Sequence, residues 1–230
     1  MLDFADTVAT TGWVVFVIAS LLVFIDIPRS TKLLAAAVLG LWVGTAAAAA
    51  NAGWLSLNKP FPIMGAFVAF PLLVAALVAT SPGGRRALLS LPLPFLVGVN
   101  IGRVFAVSFL VLAAQGRLSG PFPYSAGLGD IITGLAAIPL LRALWAKQAS
   151  ASAIYAWNAF GMADLVAATA LGVMSGDGSP LQVFAAPGSA AMQALPFSFV
   201  PTVLVPLYMI MHAIVWVRLR SASSSLRVPG

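Results

Sequence analysis

Seven apolar runs dominate the chain, over 10–28, 33–56, 61–80, 92–115, 126–145, 154–175 and 196–218. A helix needs about 20 mostly apolar residues to cross a bilayer, whereas a barrel strand alternates apolar and polar residues over about 10. These runs are continuous and rich in Ala, Leu and Val. The reading is therefore an all-α integral membrane protein, a seven-transmembrane-helix bundle forming one domain over residues 1–230. Charge supports it: 8% of the residues are charged, whereas soluble domains carry about 25%. Such a chain cannot cover a soluble surface. With no Cys, a disulfide scaffold and a Cys-based metal site are also excluded.

The breaks between runs carry helix-ending chemistry. Ile27-Pro28-Arg29 closes the first, Asn58-Lys59-Pro60 separates the second and third, and Ser81-Pro82-Gly83-Gly84-Arg85-Arg86 closes the third. The first run has Asp3 and Asp6 ahead of it and Arg29 and Lys32 behind it, the reverse of a signal peptide. That polarity predicts an uncleaved helix with its N-terminus outside. The other charges agree. Seven spans in that orientation put Arg29, Lys32, Arg85, Arg86, Arg142, Lys147, Arg218, Arg220 and Arg227 on the cytoplasmic side, and only Lys59 and Arg117 outside. Basic residues collect on the cytoplasmic side of membrane proteins, so the predicted topology is N-terminus out and C-terminus cytoplasmic. The net charge of +6 then reflects topology and contact with anionic lipid headgroups, and nucleic acid is not an expected partner.

No internal repeat of the inverted-transporter kind is visible. The longest connections, 116–125 and 176–195, fall outside, where they either shape an access route or simply connect helices. Within the second, 181–184 has the composition of an interfacial segment. Gly40 with Gly44, and Gly98 with Gly102, mark close helix packing and allow a homo-oligomer. Pro71, Pro139, Pro201 and Pro206 each remove a helix hydrogen bond and predict bends. Trp13, Trp42, Trp54, Trp145, Trp157 and Trp216 are read mainly as an interfacial aromatic belt, Trp157 being the one placed to line a site.

Polar residues are distributed unevenly. The first three spans carry almost none, whereas the last four carry Asn100, Arg103, Asp130, Thr133, Asn158, Asp164, Tyr208 and His212. An ionisable group inside a bilayer costs about 2.5 kcal/mol or more and marks a functional site by default. Helical spacing puts Asn100 and Arg103 on one face, as it does Asp130 with Thr133, Asn158 with Asp164, and Tyr208 with His212. Four polar stripes can share one interior.

A rise of about 1.5 Å per residue places Arg103 and Asp164 near the midplane, Asp130 about 6 Å from the outer boundary, and Asn158 and His212 about 6–9 Å from the inner one. The expectation is a polar track. Tyr124 and Asp130 stand at its outer end, Arg103 and Asp164 in the middle, and Asn100, Asn158, His212 and Tyr208 on the inner side.

Several chemistries can be weighed on these residues. Arg103 and Asp164, of opposite charge at equal depth, predict an ion pair that acts either as a staple or as a gate. His212 is the chain's one His and suits either a proton relay or a satisfied buried imidazole. A single His excludes bis-His haem within one chain, and scattered Asp residues do not make a zinc site, so no cofactor and no metal is expected. The plan resembles that of rhodopsins, but the seventh run has no Lys for a retinal Schiff base. Gly127-Leu128-Gly129-Asp130 is similar to the Gly-x-Gly-Asp motif of presenilin-like and prepilin peptidases. That resemblance implies a protein-cleaving pair made with Asp164, two aspartates activating water. Here the motif Asp comes first in the chain, whereas in those families it is second.

The function expected is binding or translocation of a small polar or anionic solute, with proton coupling as an option, in a cell membrane of bacterial inner-membrane type. Arg103 would hold the anion or gate against Asp164, Asp130 would guard the outer entrance, and Asn158, His212, Asn100 and Tyr208 would serve the inner side. Two other classes fit the same residues: an intramembrane enzyme using Asp or His on a lipid-soluble substrate, and a non-catalytic membrane subunit. The expected partners are the lipid bilayer and a small molecule or ion.

Overall fold

The computed structural model describes residues 2–58 and 63–225, with side chains over 6–58 and 63–221. Lys59, Pro60 and Arg227 of the charge and break patterns lie outside the described residues, as does the side chain of Asp3. The described chain is all-helical, without strands, and seven of its helical segments are long and apolar enough to cross a membrane. In order these are α1 (Leu2–Phe24), α2 (Arg29–Asn51), α3 (Ile63–Thr80), a composite helix over 93–114, α7 (Phe122–Trp145), α8 (Ala151–Met174) and a final helix over 200–225.

Helix ends differ from the expected ones by several residues because hydropathy marks the apolar middle of a helix and not its polar first and last turns. Thus α1 begins at Leu2 and includes Asp3 and Asp6, and α2 begins at Arg29 and includes Lys32. α7 begins at Phe122, four residues earlier than expected, since Pro123 in a first turn costs no hydrogen bond.

The break after the third run holds a short helix. α4 (Pro82–Ser90) starts on a Ser81 hydroxyl that accepts from the Gly84 amide, with Pro82 at its first position. Its length is too short for a periodic signal to stand out from Pro-Gly-Gly.

The composite fourth span changes helix type along its length. α5 (Leu93–Gly98) passes into a 3₁₀ segment, Val99–Ala106, and then into α6 (Val107–Ala114). Three residues per turn give the 3₁₀ segment three separate faces. Asn100, Arg103 and Ala106 share one face. Gly102 and Phe105 share a second, against Trp13 of α1. Ile101 and Val104 share the third, against Gly134 of α7. The final helix similarly opens with a π turn, Val200–Leu204, before α9 (Val205–Ser225).

These two irregular helices form the centre. In an apolar 18-residue stretch of each, 56% and 61% of the residues are buried, against 11% in each of the first three spans. The outer faces of α1 to α3 show Phe16, Leu33, Leu41, Leu73 and Leu77 to the surroundings, which inverts the soluble pattern.

Contacts sort the connections to two ends. The Asp26 amide donates to the Ser90 hydroxyl, and Arg218 donates to the carbonyl of Leu89, so the first turn, α4 and the tail of α9 share an end. At the other end Ser119 bonds Ala185 and Gly188, and Gly176 and Gly178 lie against Leu57 and Asn58. The connections 115–121 and 175–199 therefore interlock as a cap rather than running separately.

Candidate functional site

The guanidinium of Arg103 is the centre of a buried polar cluster. Its position on the 3₁₀ face aims it between α7 and α8. Nε donates to Asp130 Oδ1 at 2.5 Å, and Nη2 donates to Asp164 Oδ2 at 2.6 Å. Nη1 donates to the carbonyl of Gly161 at 3.4 Å and lies 3.2 Å from His212 Nε2. The ring of Tyr208 lies against the guanidinium, its centroid 5.7 Å away. Arg103 thus makes the expected contact with Asp164 and also holds Asp130.

The direction of one hydrogen bond fixes the state of His212. A guanidinium only donates, so Nε2 of His212 accepts and the proton sits on Nδ1. Nδ1 donates to Asn158 Oδ1 at 2.8 Å, and Asn158 Nδ2 returns a bond to the His212 carbonyl at 3.1 Å. Both partners of this reciprocal pair are buried. In this arrangement His212 is a neutral imidazole with both nitrogens occupied, which is a positioning role and not an open relay.

Glycines make the approach feasible. A Cβ on Gly129 would stand 1.7 Å from Asp164 Oδ1, and one on Gly161 would stand 2.6 Å from the His212 ring. Gly127 borders Ala106 and Leu110. The Gly-Leu-Gly-Asp motif therefore works here as a packing device that admits the Asp164 carboxylate beside Asp130. Both carboxylates turn to one guanidinium, unlike an aspartyl dyad that shares a proton between its members.

The cluster replaces the expected track. A fifth span beginning at 126 puts Asp130 near the outer boundary, but α7 begins at Phe122. Counted from Phe122, Asp130 lies about 12 Å along its helix, and Asp164 lies about 15 Å from the Met174 end of α8. Their depths match within the reach of an Arg side chain.

Two residues of the expected track fall outside the cluster. Tyr124 is exposed. Asn100 bonds the Leu96 carbonyl of its own helix at 2.8 Å, and its buried Oδ1 has no partner.

Three aromatic residues depart from the expected belt. Trp13 Nε1 donates to Tyr208 Oη at 2.8 Å. Trp157 Nε1 donates to the Thr133 carbonyl at 3.0 Å, and its ring lies 5.1 Å from that of His212. Trp42 Nε1 donates to the Thr202 carbonyl at 3.1 Å. Trp13 falls near the middle of α1 because that helix begins at Leu2 and not at residue 10, whereas Trp42 lies well inside the second span by either set of bounds. Trp54 and Trp145 are exposed near helix ends, as a belt requires.

Two cavities meet at Asp130. The smaller, about 60 Å³, lies between Trp13, Gly102, Arg103 and Tyr208 and has room for water. The larger, about 520 Å³, lies between α3, α7 and α8 under the 179–193 part of the cap. Its walls are almost wholly apolar, with Met64, Leu72, Phe109, Phe122, Leu165 and Val173 among them. Asp130 is its one ionisable lining residue among those described. Gln193 also lines it, with a buried Nε2 that has no hydrogen-bond partner. α3 packs on the final helix, and Gly65 and Ala69 on the cavity's α3 side are exposed, so the cavity opens laterally beside α3.

Among the described residues no group of three or more metal-ligating side chains stands together. Comparison with curated proteins and with solved structures finds no match. One family model does match, over residues 60–220, a range that holds every polar residue of the cluster and leaves out α1 and α2. By that match the chain belongs to the family described as a domain of unknown function, DUF8737.

Proposed function

We propose that the protein is a multi-pass protein of the cell membrane, N-terminus outside and C-terminus cytoplasmic, that binds or translocates a small molecule. The molecule enters the cavity beside α3, and the Arg103 cluster forms the floor it meets. The observation that carries this reading is the position of Asp130, which lines a cavity of about 520 Å³ and is also bonded to Arg103. Small-molecule pockets span roughly 300–1,000 Å³ and combine apolar walls with a few convergent polar groups.

The cavity walls and the pairing of Arg103 support a different solute from the small polar or anionic one expected of the sequence. The contacts of Arg103 occupy four of the five N–H groups of a guanidinium, two of them on carboxylates. No cationic face is left for an anion, and the cavity walls suit an apolar body. Arg103 with Asp164 then acts as the gate, and passage beyond it requires the ion pairs to part. One guanidinium balances one carboxylate, so the charge of the second is offset in turn by a bound cation or by a proton. The Ala-rich, Cys-free composition fits a bacterial inner membrane.

Native mass spectrometry of the protein released from lipid tests the reading. A bound small molecule is expected on the wild type and not on Ala168→Phe, which fills the cavity from α8. If the two proteins carry the same bound species, or neither carries any, the cavity is not a ligand site.

A further inference from the structure

We infer that the occupant of the cavity is a lipid-soluble molecule with a cationic head, a monoamine or its chemical equivalent, whose charge rests on Asp130. This rests on the reading of the cavity as a ligand site and names its ligand class.

The argument is one of charge. The cluster contains one guanidinium and two carboxylates, with His212 neutral because Nε2 accepts from Arg103 and Nδ1 donates to Asn158. With both carboxylates ionised, the sum is one negative charge in an apolar surround. Among the described residues the other polar neighbours are the neutral groups of Tyr208, Trp13, Asn158 and Thr133, which supply dipoles and no positive charge. A buried charge without a counter-charge is among the most costly features a structure can hold.

Each carboxylate makes one ion pair with Arg103, and access decides which of them an incoming cation meets. Asp164 is the more enclosed, its side chain 6% exposed, whereas that of Asp130 is 14% exposed and borders both cavities. A cationic head arriving through the large cavity meets Asp130 first and completes the charge balance. The apolar walls take the rest of the molecule, and the unpaired amide of Gln193 offers a donor to an acceptor group on it. An anionic head would add a second uncompensated charge. A neutral head would leave the first in place.

Three probes with one apolar body and different heads test this: 1-aminoadamantane, 1-adamantanol and adamantane-1-carboxylate. Each is titrated at pH 7 by calorimetry into the full-length protein in lipid nanodiscs. The amine is expected to bind at least tenfold more tightly than the alcohol, and the carboxylate most weakly. Asp130→Asn is expected to remove the amine's advantage over the alcohol, bringing the two affinities to within about twofold of each other. Asp164→Asn removes the same net charge and is expected to shrink the advantage too, so the assignment stays testable if one variant fails to fold. Ala168→Phe should weaken all three probes.

Equal binding of amine and alcohol to the wild type, both lost in Ala168→Phe, would overturn the cationic assignment and leave the ligand cavity standing, its surplus carboxylate neutralised by a proton. The carboxylate binding most tightly would also overturn it. If none of the probes binds, both readings fall.

Discussion

Gly129 is the residue on which the cluster depends most directly without taking part in its chemistry. Its missing side chain is what lets the Asp164 carboxylate reach Arg103, because a Cβ there would fall 1.7 Å from Asp164 Oδ1. Gly129→Ala should therefore force α7 from α8 or expel the carboxylate, and breaking a buried ion pair on one side costs about 3–5 kcal/mol. Gly127→Ala is the control on the same motif. Its Cβ meets Leu110 at 3.2 Å and the Ala106 carbonyl at 3.4 Å, an overpacking that a flexible Leu relieves for about 1 kcal/mol. Chemical unfolding in mild detergent should rank Gly129→Ala well below Gly127→Ala. Equal losses would show that the space beside Gly129 is not what admits Asp164. The sequence carried the identity of the charged residues, since bilayer cost singles out Arg103, Asp130 and Asp164 wherever they fall. It did not carry the direction of the His212 hydrogen bonds, which follows only from having a pure donor on one side. Nor did it distinguish a belt Trp from Trp13, whose indole reaches Tyr208 across the bundle.

At the scale of elements, the irregular helices do what regular ones cannot. Pro206 lacks the N–H that would bond the Thr202 carbonyl four residues earlier, and Trp42 of α2 donates to that carbonyl instead. An indole from one helix thus repairs the ladder of another and ties α2 to the centre. Trp42→Phe keeps the ring that stacks on Phe70 and removes the donor, at an expected cost of about 1–3 kcal/mol. Pro206→Ala restores an N–H, so the double variant should lose less than the sum of the single losses, by about 1 kcal/mol. Additivity in that double-mutant cycle would sever the link between Trp42 and the missing bond.

The existence and order of the seven long helices were legible because a run of apolar residues of bilayer length has few other fates. The 3₁₀ segment was not, since an apolar run reads alike whether it turns in 3.0 or 3.6 residues. Only the three-residue spacing of Asn100 and Arg103 hinted at it. The four-residue error at the start of α7 mattered more, because it moved Asp130 out to the membrane surface and turned a cluster into a track.

For the molecule as a whole, the ends of the bundle differ sharply in charge. Arg29, Lys32, Arg85, Arg86, Arg142, Lys147, Arg218 and Arg220 belong to the end marked by α4 and the tail of α9, and Arg117 belongs to the capped end. In the proposed orientation the basic end faces the cytoplasm and the interlocked cap over the large cavity faces outward. In that orientation the cavity lies in the outer half of the bilayer, and the Arg103 cluster lies between it and the basic side. The chain has no Cys, so any introduced thiol is the sole target of a maleimide. Asp177 on the cap and Gln148 between α7 and α8 are both exposed and suit the purpose. In intact cells a membrane-impermeant maleimide should label Asp177→Cys and leave Gln148→Cys unlabelled until the membrane is permeabilised. The reverse pattern would invert the molecule, place the cavity on the cytoplasmic half, and require the solute to be drawn from inside the cell.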